Sequence, residues 1–581
     1  MRSSRLCFGL GGILILTGAF VPGVALIESL REVPAGLAEP LRLGGTLFKI
    51  GLILLGLFAI TLGRVSVWTS GQQNKKPAAE RHRHVARAVL AGILITATVL
   101  RFYALDGGLW LDEVLTYVEY ARMPLGEIVT TYHSENQHFL YTLLAHASFL
   151  IFGESAQSLR LPAVLFGIGS IWALYMLGRY VGGPREALLA AAMLAFSYHH
   201  VWFSQNARGY TGLLFWTLLA SWLLLRGMRE ARPQLWLLYA IAVALGVYTH
   251  ITMLFVFLGH LIIYLAAPVV RRRAIWPDRW AGLFIGFCAA ALLTLQLHAL
   301  ALPQMIGAIA GTTSVVAAWR YPLWTFSEFA KGMQVNFAGG IVALAVILIF
   351  GSGLVSFART DPVVVQLLII PALIEAVVVV GRGHHLWPRL FFFTIGFGAL
   401  IVVRGTTVVG QMGARLLDVG PTKSAALGTA LCAVLIGVSA ISFPSAYAPK
   451  QDYVGALAFV EASREPGDRV VTVGLATYPY QRLYKVDWEA AETVEALNEI
   501  RSRARRTWVL YTFPPVLEAV HPEIMASIRR DFHVVKRFNG TLGGGTVFVC
   551  RSDIPLSWLP RVKRDISGHV IFRAKNLEGV T

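Results

Sequence analysis

Leu109-Trp110-Leu111-Asp112-Glu113 places two adjacent carboxylates just beyond an apolar run that closes near Leu105. A run of that length reads as a membrane span. Acidic groups at the edge of a bilayer are costly unless hydrated or paired, so in a membrane protein they are functional candidates. Position alone leaves two readings open: the pair stops a helix at the headgroups, or it belongs to a working site.

The rest of the chain supports the membrane reading. Of its 581 residues 56% are hydrophobic and 14% charged, with a mean hydropathy of +0.60. Soluble domains carry about 25% charged residues, and apolar runs of about 20 residues, which recur here, match about 30 Å of hydrocarbon. The fold expected is a polytopic α-helical membrane protein with about 13 transmembrane helices. The net charge of +18 comes from 51 basic and 33 acidic residues. Its basic residues gather in short loops between spans, which points to orientation in the membrane and not to a nucleic-acid partner. Cys7, Cys288, Cys432 and Cys550 form no C-x-x-C spacing and no disulfide framework.

Four regions follow from composition. Residues 1–63 read as an additional two-span amino-terminal hairpin. The basic start would suit a signal peptide, but the apolar run is long for one and a second run follows. Residues 64–86, with Lys75, Lys76, Arg81 and Arg83, read as a basic cytoplasmic linker. Residues 87–445 form the transmembrane domain, with a first outer loop over 106–158. Within that loop the apolar stretch 138–152 is short for a span and is expected at the interface. Residues 446–581 alternate helix-like and strand-like segments and read as an extracytoplasmic α/β domain with a tail. With the amino terminus inside, the Asp112, Arg208, His250, Lys331 and His384 connections all fall on the outer face.

Those connections hold the candidate site: Asp112 and Glu113, then Arg208, Lys331, His384, His385 and Arg389. A carboxylate among cations suits a general base beside an anionic substrate, whereas any single Lys or His reads more readily as a solvated loop charge. Arg208 stands apart, because its loop, Ser204-Gln205-Asn206-Ala207-Arg208-Gly209-Tyr210, is short and lies between two apolar runs. A guanidinium held there suits bidentate contact with a phosphate. Asp112, Glu113, His133 and His138 could supply ligands to a divalent metal, but their spacing matches no strong motif, so no metal site is assigned. His199, His200, His250 and His260 read as packed histidines.

Leu109 to Glu113, Arg160-Leu161-Pro162 and the Ser204–Tyr210 loop, in this order and spacing, resemble the family 39 glycosyltransferases. That group includes protein O-mannosyltransferases and lipid A aminoarabinose transferases, membrane enzymes of the GT-C fold. The resemblance covers about 87–404. It implies an inverting transfer of a sugar from a polyprenyl-phosphate donor to a protein, lipid or glycan acceptor. The setting would be a bacterial-type inner membrane, with the site on the outer face among membrane lipids. The family's acid–base carboxylate maps onto Asp112, with Glu113 orienting it or the acceptor. An acceptor hydroxyl has a pKa far above an aspartate's value of about 3.9, so Asp112 would take the proton as the new bond forms. Arg208, Arg389, Lys331 and His384 would stabilise the donor phosphate, and Tyr210, Gln205 and His385 would position substrate. No cofactor is committed, and a divalent metal stays open. One departure is Asn136-Gln137-His138-Phe139, where many members carry His-Pro-Pro or Lys-Pro. The alternatives are a transporter or flippase for a lipid-linked sugar, for which no internal repeat is seen, and a non-catalytic binding protein.

Overall fold

The computed structural model describes residues 2–64, 80–230, 232–271, 282–311, 315–336, 339–553, 563–564 and 570–571. The chain divides into two compact units: Met1–Asp106 with Leu115–Tyr447, and Gly107–Val114 with Ala448–Thr581. Most of the expected basic linker lies outside the described residues, as do Arg272 and Arg273.

The first unit is helical. Seven helices are long and apolar enough to cross a membrane, among them Ala35–Arg64, His84–Phe102, Ala156–Val181 and Pro388–Leu416. Three bent helix pairs raise the number to ten among the described residues. The sequence predicts about 13, and the difference has a structural cause. Pro233–Thr249 is an apolar helix of only 17 residues. Met253–Ala267 is shorter still, whereas the broken runs, such as Pro184–Ala195 with Tyr198–Ser204, which meet at 62°, are already within the ten. The stretch expected at the interface is a 14-residue helix, Phe139–Phe152.

Side-chain placement in this unit is that of a protein dissolved in lipid. The helix Glu80–Phe102 exposes Val85, Ile95 and Val99 and buries Arg101 completely. In hydrocarbon the backbone is satisfied within each helix, and close packing of small residues holds helices together. At the start of the chain, the helices Arg2–Phe20 and Ala38–Arg64 meet at Gly11 and Gly56, where an added Cβ on either would collide with the other's carbonyl oxygen.

The second unit is built on a five-stranded sheet. Its strands are β1 (Arg469–Val473), β2 (Glu489–Ala491), β3 (Thr507–Tyr511), β4 (His533–Phe538) and β5 (Val547–Ser552), in the order β2-β1-β3-β5-β4. β1 runs parallel to β2 and β3, while β5 is antiparallel to β3 and β4. β1 is buried from Val470 to Val473 and β3 throughout, as central strands covered on both faces should be. The sequence reading misses β2, whose three residues carry no alternating pattern. It also expects one helix over 516–528 where there are two, Pro514–Val520 and Pro522–Asp531. His521 precedes a proline, which disfavours helical backbone at that position, and it adopts φ −132° and ψ 64°.

Candidate active site

The acidic pair lies in the first turn of a short helix, Leu111–Thr116. The two carboxylates differ in environment. Glu113 is fully buried, and its Oε2 sits 3.4 Å from the Trp110 amide. Reaching back from the third helical position to the residue before the helix is half of a capping box, so Glu113 closes its own turn. Asp112, one residue earlier, is partly exposed. Leu109, Trp110 and Leu111 are buried, and the Leu111 amide donates to Gln451 Oε1 at 3.0 Å.

The basic cluster belongs to the helical unit. Arg208 is buried, and its Nε donates to His138 Nε2 at 3.0 Å. An imidazole nitrogen that accepts carries no proton, so the proton of His138 is on Nδ1, and the ring hydrogen-bonds the Thr249 backbone. The His138 ring stacks on His250 with centroids 4.7 Å apart, and Tyr210 lies 4.9 Å from His250. The Arg208 guanidinium also sits 5.8 Å from the Tyr210 ring centroid. Burial, with Arg208, His250 and Arg389 adding to it, holds His138 well below the usual imidazole range. Burial and the same two arginines bring His250 down to about 3. Two cations thus stand beside two neutral rings, an arrangement suited to receiving an anion.

The loop that delivers Arg208 is fixed from three sides. Gln205 Nε2 donates to the carbonyls of Arg101 and Tyr103 at 3.1 and 2.6 Å. Arg101 Nε reaches Ser204 Oγ at 3.2 Å, and its Nη2 lies 2.5 Å from His200 Nδ1, whose ring meets Ser170 through Nε2. At Gly209 an added Cβ would strike the Thr249 carbonyl oxygen and lie 3.2 Å from the His138 ring. Arg160 pins the Leu105 carbonyl with Nη1 at 2.9 Å.

The other candidates are spread more widely. Lys331 is exposed and pairs with Glu328 at 2.6 Å. His385 packs edge-on against Trp319 and Trp387 at 5.0 and 5.3 Å, and Arg389 lies over the Trp387 ring. Burial first, then Arg320, Arg389 and His384, lower His385 to about 4. His384 is half-buried, and its amide closes the end of the preceding helix on the Val379 carbonyl. The structure therefore gathers Arg208 and Tyr210 with His138 and His250, within electrostatic reach of Arg389, and gives Gln205 a strut's place behind them. Sequence reading weighed His138 as a metal ligand and as part of the departure at the helix entry, and His250 as a packed residue. The signal that could have found them is a polar residue opening or closing an apolar helix beside an interrupted span. Among the described residues no three His, Cys, Asp or Glu side chains gather to hold an ion.

The class to which this arrangement is similar is a family of membrane glycosyltransferases. The model of the family described as dolichyl-phosphate-mannose-protein mannosyltransferase matches residues 136–298. That range includes His138, Arg160, Arg208 and His250, and the chain resembles this group as its motifs indicate. Among individual proteins, a putative mannosyltransferase, YkcB of Bacillus subtilis (strain 168), is 26% identical over 178 residues, which is 28% of this chain and 23% of the relative. The match thus spans about a quarter of that relative's length. Among solved structures, apo ArnT from Cupriavidus metallidurans is 13% identical, with 81% of this chain and 99% of that one covered and a TM-score of 0.42. The oligosaccharyltransferase of Archaeoglobus fulgidus tethered with an acceptor peptide is 12% identical, with coverages of 80% and 74% and a TM-score of 0.49.

Proposed function

We propose that the chain is an inverting glycosyltransferase of the GT-C fold. It moves a sugar from a polyprenyl-phosphate donor to an acceptor on the outer face of a bacterial-type inner membrane. The observation that carries the reading is the buried pair of Arg208 and the neutral His138 within the stretch that resembles the mannosyltransferase family. A lipid-linked donor brings its phosphate to the edge of the bilayer. There Arg208, with Arg389 beside the same two rings, meets the charge that grows on the phosphate as the anomeric bond breaks. Asp112 accepts the proton of the acceptor as that group attacks the anomeric carbon from the opposite side. Glu113 holds the turn that presents Asp112.

Mass spectrometry of the envelope glycans, glycoproteins and glycolipids of cells lacking the chain tests this reading. A sugar missing from one acceptor class, and restored by the wild-type gene, is the expected result and names the donor. Unchanged glycans would overturn it. Loss of sugar from every acceptor, with lipid-linked sugar held inside the cell, would point instead to a flippase.

A further inference from the structure

We infer that the carboxy-terminal α/β domain is the holder of the Asp112 segment, with Gln451 as the positioning residue; this rests on Asp112 being the general base. Residues Gly107–Val114 form one compact unit with that domain although more than three hundred residues separate them in sequence. The link is a two-ended amide. Gln451 is 2% exposed, its Oε1 accepts from the Leu111 amide at 3.0 Å, and its Nε2 donates to Thr512 Oγ1 at 3.1 Å. Thr512, itself buried, directly follows β3, the strand at the centre of the sheet.

The turn bearing Gln451 is held in its own right. In the loop between β4 and β5, the amides of Thr541 and Leu542 donate to the carbonyls of Pro449 and Lys450 at 2.9 and 3.2 Å. A Cβ on Gly540 would collide with the Lys450 carbonyl oxygen, so the two backbones approach as only glycine allows. On the other side, Leu109, Trp110 and Leu111 are buried and a Cβ on Gly108 would lie 3.2 Å from Val454. The triplet is thus withdrawn from solvent, and the next residue, Asp112, is partly exposed. A general base on a free loop would wander, whereas catalysis needs it held to about 0.5 Å by locked neighbours. The sheet, Thr512, Gln451 and the Leu111 amide form that chain of support.

The test uses the full-length protein in lipid nanodiscs and hydrogen–deuterium exchange of peptides covering 107–116. In Gln451→Leu these peptides should exchange at least tenfold faster while β1 and β3 keep wild-type protection. Gln451→Glu, which still accepts from Leu111 and can accept from the Thr512 hydroxyl, should keep exchange slow. If Gln451→Leu fails to accumulate, Thr512→Val removes the next link and should show the same acceleration. In cells lacking the chain, Gln451→Leu at wild-type protein level should restore the missing glycan at least tenfold less well, and Gln451→Glu should rescue it. Unchanged exchange over 107–116 in Gln451→Leu or Thr512→Val, or full glycan restoration by Gln451→Leu, overturns the inference. Asp112→Asn run alongside keeps the two ideas apart. If Asp112→Asn fails to restore the glycan while Gln451→Leu restores it fully, only the holder fails. If Asp112→Asn restores the glycan, the assignment of the base fails.

Discussion

Arg208 is oriented by His138. The imidazole accepts one guanidinium N–H, which fixes the plane of the fork. Hydrogen bonds to charged groups contribute about 1.5–3 kcal/mol, enough for a tenfold to hundredfold effect on anion binding. His138→Phe should therefore raise the donor KM by about tenfold or more. His138→Asn keeps an acceptor and should lose less. Equal kinetics of the two variants would remove this role.

The same rings carry a pH signature. Burial and the neighbouring arginines depress His138 and His250, the latter to about 3. An unfolded chain takes up protons on these rings below about 6.5, and the folded one resists. Stability is therefore fully present above that pH and falls as pH drops from there toward 3. The melting midpoint in detergent should decline over this window, and His250→Asn should flatten the decline. An identical slope in that variant would contradict the assignment. The motif residues Asp112 and Arg208 were legible in the sequence because charges beside apolar runs stand out. His138 and Gln451 were not, since their partners lie 70 and 340 positions away and neither makes a pattern in its own neighbourhood.

At the level of elements, apolar length reported where the chain enters lipid but not how it travels there. Breaks such as that at Phe196 and Ser197 turn one expected span into two short helices, and the second ends where the Arg208 loop begins. The carboxy-terminal strands were legible from β-branched runs except β2, which is too short to alternate. One polar anchor in that sheet stands out. Asp468, with its side chain fully buried, accepts from Arg506 Nη2 at 2.8 Å, from Trp508 Nε1 at 3.0 Å and from the Glu465 amide at 3.0 Å. Burial alone would raise its pKa, but these donors outweigh it and hold the carboxyl below the usual range. Its contribution is present above the unfolded aspartate value of about 3.9 and is lost as pH falls through the lower folded value. Asp468→Asn weakens the pair while Arg506 keeps Glu465 at 3.1 Å, and should cost the domain about 1 kcal/mol, read by exchange protection of β1 and β3. Unaltered protection would show that the packing of Trp508 alone sustains this end of the sheet.

Across the molecule, the cations Arg208 and Arg389 lie in the helical unit, and the segment carrying the acidic pair belongs with the carboxy-terminal domain. Composition could announce a membrane protein and an appended α/β domain. It could not announce that eight residues of the first outer loop belong with that domain, because the tie is made by one amide side chain and a close approach at Gly108. The family match begins at Asn136, beyond the acidic pair, so Asp112 is the residue on which the proposed chemistry most needs a direct answer. That answer comes from expressing Asp112→Asn in cells lacking the chain, at wild-type abundance in the membrane, and measuring the glycan the wild type restores. The proposed mechanism predicts a loss of at least a hundredfold, about 2.7 kcal/mol or more of the barrier, with partial recovery in Asp112→Glu. Full restoration by the asparagine variant would contradict it.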